Sequence, residues 1–394
     1  GDGSLIMRGA CRKFATGDSL SPIDRGDGNV MAKLGDVCTI VSGTTPKTSV
    51  SEYWDGNINW ITPAELNEDT VVINESKRKI TKAGVNSCGL SPFPAGTVIL
   101  SSRAPIGKTA IAGTEMYCNQ GFKNLICSDK IHNKYLFWFL RSKTEMLNSL
   151  GRGATFKEIS KSIVENIEIP LPDLPTQQRI ADTLDKVSEG IEVCRRILGE
   201  LDLMVKAKFG EMFGDVVQNS KQLPIKTLPE ISENLDSRRI PITGSVREKG
   251  IYPYYGASGI VDYVKDYLFD EDILLISEDG ANLLARSTPI AFSAAGKVWV
   301  NNHAHVLRFR DRATQCYVEN FLNMIDISNY VTGTTQPKLN QAKLNAIPIP
   351  TPELASQKQF MEFTRQIEKI KLTSCEVLDK METERLALMQ EYFG

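Results

Sequence analysis

Apolar residues recur at alternating steps of four and three along two stretches of the chain. In the first they are Ile180, Leu184, Val187, Ile191, Cys194, Leu198, Leu201 and Val205; in the second, Phe360, Phe363, Ile367, Ile370, Ser374, Val377 and Met381 keep the same beat. This is a heptad seam, and it predicts two long helices, each with one apolar edge. Some 35 residues at a rise of about 1.5 Å would span roughly 50 Å. A rod with one seam needs a partner, and the other rod is the simplest one. Leu184, Ile191 and Leu198 are therefore expected to form a helix-pair interface with Phe363, Ile367 and Ile370 in antiparallel register. Each run follows a Pro-x-Pro stretch that must be extended, because proline fixes its own torsion and steers the preceding residue away from helix. Thr176 and Ser356 stand where helix N-caps are wanted.

The two seams belong to a repeat. IEIPLPDLPTQQRI at 167–180 answers IPIPTPELASQKQF at 347–360, with Ile167, Ile169, Pro170, Pro172, Leu174 and Gln177 matched by Ile347, Ile349, Pro350, Pro352, Leu354 and Gln357. Every pair is 180 apart. The offset holds to Phe213-Gly214 against Phe393-Gly394, and upstream it relates Gly153 to Gly333. Each half thus has a variable region, a glycine turn, a proline-punctuated strand and a long helix.

Between the repeated parts the pattern switches to short β-branched runs bounded by Gly or Pro: Val98–Ser101, Ala110–Ala112, Ile273–Ile276 and Val298–Val300 read as strands. Tyr135–Leu150 reads as a helix, with Val318–Asn329 as its counterpart. The expected fold is α+β, two mixed α/β domains separated by two long antiparallel coiled-coil helices. The domains would span 31–170 and 216–350, the helices 171–215 and 351–394. Residues 1–30, with GDGS and DRGDGN and almost no apolar pattern, read as a disordered leader or extension.

Composition is that of a globular protein, 41% hydrophobic and 24% charged, so disorder is not the main state. No apolar run reaches membrane-spanning length and no secretory signal opens the chain, which points to the cytoplasm. Eight cysteines lie scattered without a C-x-x-C pair, arguing for free, buried thiols rather than a zinc knuckle or disulfide framework. The net charge of -2 is awkward for binding phosphate. Residues 31–150 carry 13 Lys/Arg against 10 Asp/Glu, while residues 216–335 carry 12 against 14. If the ligand is nucleic acid, a partner must supply much of the phosphate binding.

The strings SGTTPKTSVSEYWDGNINWITPAEL (42–66), GTVILSSRAPIGKTAIA (96–112) and NQGFKNLI (119–126) are followed by GIYPYYGASGIVD (250–262), ILLISEDGANLLARSTPIAF (273–292), VWVNNHAHVLRF (298–309) and TGTTQPKLNQAKLNAIPIPTP (332–352). In this order, and with the repeat, the chain resembles the specificity subunits of type I restriction-modification systems from Met31 to Gly394. The resemblance implies two target recognition domains related by a pseudo-twofold internal repeat, each reading one half-site of a bipartite double-stranded DNA target. It implies a non-catalytic chain whose partners are two methyltransferase (M) subunits and the restriction (R) subunits, with S-adenosylmethionine, ATP and magnesium bound by those partners and no cofactor on this chain. Candidate DNA contacts in the first half are Thr45, Lys47, Ser102, Arg103, Lys108, Asn119, Gln120, Lys123 and Arg152. In the second half they are Ser258, Asn282, Arg286, Asn301, Asn302, His303, Thr335 and Gln336.

Other motifs weigh less. Gly107-Lys108-Thr109 lacks the glycine five positions earlier that a phosphate loop needs, since Ser102 stands there. His303 and His305 alternate as zinc ligands can, without a third ligand nearby, so no metal is expected. Glu278-Asp279 before Gly280 reads as turn chemistry rather than a nuclease site. Trp54, Trp60, Tyr252, Tyr254 and Tyr255 read as core. A chain that methylated DNA itself should carry a glycine-rich cofactor loop and an Asn/Asp-Pro-Pro-Tyr/Phe pocket; neither string occurs. A rival of another class, a coiled-coil scaffold with two protein-binding domains, fits the near-neutral charge but leaves the family strings unaccounted for. A self-sufficient restriction enzyme finds no catalytic constellation.

Overall fold

The structure is a computed structural model and describes residues 30–67, 70–103, 105–153, 157–333 and 335–394; apart from Val30, the expected leader lies outside them. Both heptad stretches are single helices of 40 residues, Leu174–Phe213 and Leu354–Phe393. They start earlier than Thr176 and Ser356. The cap of the first is Asp173, whose carboxylate accepts the Thr176 N–H at 3.0 Å, and at the second the Glu353 carbonyl accepts from Ser356 and Gln357. In the first helix Pro175 fits the first turn, because the first-turn amides have no partner inside a helix and proline loses nothing there.

Two units divide the chain: one runs through Glu192 and takes in Asp379–Gly394, the other is Val193–Leu378. Each long helix is therefore shared out between them. In the second unit the helices run antiparallel, with Asp202 paired to Lys371 at 2.6 Å and the Phe209 ring 5.3 Å from Phe360. This register corrects the expected one. Leu184 and Ile191 are buried in the first unit, whose share of the second helix is Asp379–Phe393, whereas Phe363, Ile367 and Ile370 belong to the second. Leu198 lies in the second unit, half-buried. The apolar seam forms but the pairing slides along it, because the ends are fixed by aromatic docking, which heptad spacing does not encode.

The two units repeat one chain trace. In the first, a ribbon pairs Met31–Lys33 with Glu168–Pro170; in the second, Ile225–Lys226 pairs with Ile349–Pro350. Each Pro-x-Pro stretch is thus a strand closing its own unit. The first unit holds a five-stranded sheet in the order Cys38–Val41, Asn124–Cys127, Val98–Leu100, Thr109–Ala112, Val72–Ile73, and a three-stranded sheet built on Trp54–Ile61. The second holds a four-stranded sheet in the order Ser232–Asn234, Ala304–Phe309, Ile273–Ser277, Ala291–Ala294, and another built on Lys249–Gly256 and Lys297–Val300. The four expected strands all form, within a residue of their expected bounds.

The expected helix Tyr135–Leu150 forms as two, Asn133–Ser142 and Thr144–Leu150, broken at Lys143, whose N–H is shared by the Phe139 and Leu140 carbonyls. Its counterpart is Arg312–Met324 rather than Val318–Asn329. Asp311 caps it early by accepting from the Ala313 N–H at 2.8 Å, and the Arg286 guanidinium ends it by binding the Leu322 and Ile325 carbonyls. Trp54, Trp60 and Tyr254 are buried, as read; Tyr252 and Tyr255 are half-buried.

What completes each unit is the end of a long helix. In the second unit Phe213 packs against Tyr317 at 5.0 Å and Phe360 at 5.5 Å, while the Tyr317 hydroxyl donates to the Pro350 carbonyl. In the first, Phe393 packs against Tyr135 at 5.3 Å and Phe139 at 5.8 Å, and the Tyr135 hydroxyl donates to the Pro170 carbonyl at 2.7 Å. Both phenylalanines are almost fully buried. Phe213→Ala and Phe393→Ala should each cost about 3–5 kcal/mol. Hydrogen exchange should show Phe213→Ala loosening peptides of Arg312–Met324 and sparing Asn133–Ser142, and Phe393→Ala doing the reverse.

Candidate functional site

The candidate residues gather where the central strand of each unit runs out. In the first unit Val98–Leu100 continues into Ser101, Ser102 and Arg103. The Ser102 N–H donates to the Gly121 carbonyl at 2.7 Å and its carbonyl accepts from Ile159 at 3.0 Å. In the second, Ile273–Ser277 continues into Glu278 and Asp279. The Glu278 N–H donates to the His303 carbonyl at 2.9 Å, and its carbonyl accepts from Leu339 at 2.8 Å. A loop returning from a positive-φ glycine, Gly153 at 130° and Gly333 at 85°, closes each site. Arg152 and Glu158 exchange backbone hydrogen bonds in one, Thr332 and Lys338 in the other, again 180 apart.

On this shared backbone the charges are exchanged. Glu158 binds Arg103 at 2.8 Å and Lys123 at 3.1 Å; at its repeat position Lys338 binds Glu278 at 3.2 Å. Glu278 also receives Arg239 at 2.7 Å. His305, buried where the first unit has Lys123, is held by Asp236 at 2.6 Å through Nδ1 and by the Leu339 carbonyl at 2.8 Å through Nε2. Burial would raise the Glu158, Asp236 and Glu278 carboxyls. Their cationic partners and hydrogen bonds outweigh it, and all three sit below the ordinary carboxylate range. Of these eight residues, Arg103, Lys123, Glu278 and His305 stand out in the sequence, though not as this framework; Glu158, Asp236, Arg239 and Lys338 do not, and the 180 offset between Glu158 and Lys338 is the available signal.

Several candidates turn inward. Ser102, Lys123 and Asn301 are buried: Lys123 reaches the Ser102 hydroxyl at 3.3 Å, and the Asn301 side chain accepts the His303 N–H at 2.8 Å. Lys108 donates to the Leu66 carbonyl at 2.6 Å. Asn282 closes the turn to Thr288, bonding both its N–H and its carbonyl, and Arg286 is spent on helix-end carbonyls. For these six the expected surface role gives way to a framework role, because their polar groups already have partners inside the fold. Asn119 likewise accepts the Gly121 N–H at 2.9 Å.

The others face outward. In the first unit Thr45 and Gln120 are hydrogen-bonded side chain to side chain at 2.5 Å, which ties the 42–47 loop to the 119–121 turn. Lys47 and Arg152 are exposed, and Arg103 is half-exposed beside Glu158. In the second unit Ser258, Asn302, His303, Thr335 and Gln336 are exposed around the end of Ile273–Ser277, with His303 against Asp279 at 2.8 Å. The 42–47 loop can lie so close only because position 43 is glycine; a Cβ there would fall 1.9 Å from the Cys118 carbonyl oxygen. The geometry offers two rims of amide, hydroxyl, imidazole and guanidinium groups, donors and acceptors suited to base edges and phosphates. Among the described residues no group of three or more metal-binding side chains converges.

The sequence profile of the type I restriction modification DNA specificity domain matches twice, over residues 27–203 and 222–383. The chain is 30% identical over 344 residues to the type I restriction enzyme MjaIX specificity subunit of Methanocaldococcus jannaschii, covering 78% of this chain and 79% of that one. To the EcoprrI specificity subunit of Escherichia coli it is 25% identical over 343 residues, covering 82% and 84%. Among solved structures, the S subunit from M. genitalium shares the fold with a TM-score of 0.59 at 15% identity, over 93% of this chain and 96% of that one.

The ion-pair framework makes two predictions. Glu158→Gln leaves buried Lys123 without its counter-charge and should cost about 2 kcal/mol, whereas Lys123→Met removes the buried charge itself and should cost less; urea midpoints of the two variants decide. Asp236 and Glu278 titrate lower in the folded chain than unfolded, so the unfolded chain takes up protons first as pH falls. Their stabilisation is whole above about pH 4–5 and drains as pH drops towards their folded values. The stability gap between wild type and Asp236→Asn should therefore be widest at neutral pH and narrow in acid.

Proposed function

We infer the function from kinship: this chain belongs to the type I restriction-modification DNA specificity family, and it serves as the sequence-specificity subunit that reads a bipartite DNA target. The observation that carries the reading is the double profile match, one copy for each of two units with the same chain trace and differing rims. Each unit reads one half-site. The rim of Thr45, Lys47, Arg103, Gln120 and Arg152 serves the first, and that of Ser258, Asn302, His303, Thr335 and Gln336 the second.

The chain acts without catalysis of its own. Methyltransferase and restriction subunits assemble on it and bring S-adenosylmethionine, ATP and magnesium, and the complex works in the cytoplasm. Among the described residues no helix is long and apolar enough to cross a membrane. The free cations of the rims are few, so the partners supply much of the phosphate neutralisation.

Replacing residues 216–346 with the corresponding region of a relative should change one half-site of the methylated sequence and leave the other intact. Methylation mapping of a genome exposed to the reconstituted complex scores the halves separately. Alteration of both by this single exchange would defeat the modular reading.

A further inference from the structure

Cys38 and Cys127 are direct partners in the antiparallel pairing of Cys38–Val41 with Asn124–Cys127. The Ser128 N–H donates to the Val37 carbonyl at 2.9 Å, so the neighbouring pair is a hydrogen-bonded one, and Cys38 and Cys127 occupy the next, non-hydrogen-bonded position. There the Cα atoms of an antiparallel ladder approach to about 4.5 Å with side chains on one face, within the range of about 4.4–6.8 Å that a disulfide spans. Both thiols are free.

We propose that Cys38 and Cys127 form a reversible, oxidation-sensitive dithiol pair, a modification site in the first unit that closes to a cross-strand disulfide under peroxide. The two cysteines are unequal in the way such chemistry needs. Cys127 is half-buried at the end of its strand and within reach of a small oxidant, while Cys38 is buried behind it. The hydrogen bond from Cys38 lowers the Cys127 thiol against the opposing effect of burial, whereas the same contact, with burial, raises Cys38. Cys127 is thus the attacking thiolate and Cys38 the resolving thiol. Cys118 offers the contrast: burial pushes its thiol up to about 12, and its sulfur accepts from the Asn124 amide at 3.0 Å.

The steps balance. The Cys127 thiolate attacks one peroxide oxygen, breaking the O–O bond; sulfur becomes a sulfenic acid and the other oxygen leaves as hydroxide, protonated to water. The Cys38 sulfur then attacks the sulfenic sulfur, the S–S bond forms, and the sulfenic oxygen leaves as a second water carrying the Cys38 proton. Two thiols are oxidised by two electrons and one peroxide is reduced to two waters. A loop of roughly 90 residues is closed. The bond pins the strand from which the 42–47 loop departs to the strand that follows the 119–123 turn.

The test uses the full chain, reduced, then treated with graded hydrogen peroxide and digested without reductant. The expected result is a cross-linked peptide pair carrying Cys38 and Cys127, a loss of two hydrogens from the intact mass, and reversal of both by dithiothreitol. The exposed Cys375 is the internal gauge of dose. Oxidation of Cys375 with no Cys38–Cys127 link overturns the proposal, as does Cys127 carried on to sulfinic acid beside a free Cys38. In Cys38→Ala, Cys127 should accumulate as a trappable sulfenic acid; retention of the link's mass change in that variant equally overturns it. The wild-type mapping stands whether or not the variant folds.

Discussion

The docking of a helix-terminal phenylalanine beneath a buried tyrosine is the contact on which each unit depends. Phe213 meets Tyr317, and that tyrosine in turn holds the Pro350 carbonyl; Phe393 meets Tyr135, which holds the Pro170 carbonyl. One aromatic pair thus ties three things together: a helix end, the helix after the variable strands, and the proline strand from which the next long helix starts. Buried rings of this size contribute several kcal/mol each and tolerate little displacement. Each long helix begins in one unit and ends in the other, so the first unit is completed only by the last stretch of the chain, Asp379–Gly394.

That constraint explains what the sequence disclosed and what it withheld. The offset of 180 announced equivalent halves because the proline strand, the glutamine after it and the terminal phenylalanine all have local duties. Gln177 donates to the Pro172 carbonyl at 2.8 Å, and Gln357 to the Pro352 carbonyl at 2.6 Å. Helix existence followed from the heptads, and strand existence from β-branched runs. Register did not, since a seam repeats every turn or two and slides at little cost until something at its end fixes it. The first helix starts ahead of Thr176 for a related reason: Pro175 fits the first turn, which leaves the cap to Asp173, one step beyond Pro172.

The candidate site was half legible. Family strings located the strand ends correctly, and exposed members such as Gln120, Arg152, Asn302 and Gln336 lie on the rims. Ser102, Lys123, Asn282, Arg286 and Asn301 lie in the same strings but hold the loops from within. Polar residue type does not reveal which way a side chain points at an irregular strand end. Alternation lapses there, and the buried backbone groups must find partners among the nearest side chains. The pairing within the ionisable framework is not legible in sequence because its members are far apart: Asp236 meets His305 across 69 positions, and Glu158 meets Arg103 across 55.

The exchange of charge between the halves also bears on how a chain of net charge -2 reads DNA. Arg103 and Lys123 are spent on Glu158, Arg239 and Lys338 on Glu278, Arg238 and Arg308 on Glu271. Those cations stiffen loops and add little net field, since each shares a carboxylate a few ångströms away. Affinity for a polyanion grows with the number of phosphates neutralised, and ion-paired side chains contribute weakly to that number. Base readout requires something different, a rim whose donors and acceptors stay put. By holding the backbone of both strand ends constant and varying the sign of the groups beneath it, the repeat can carry two unlike rims on one frame. On the function proposed above, selectivity would rest in the rims and the bulk of the phosphate attraction in whatever assembles around them.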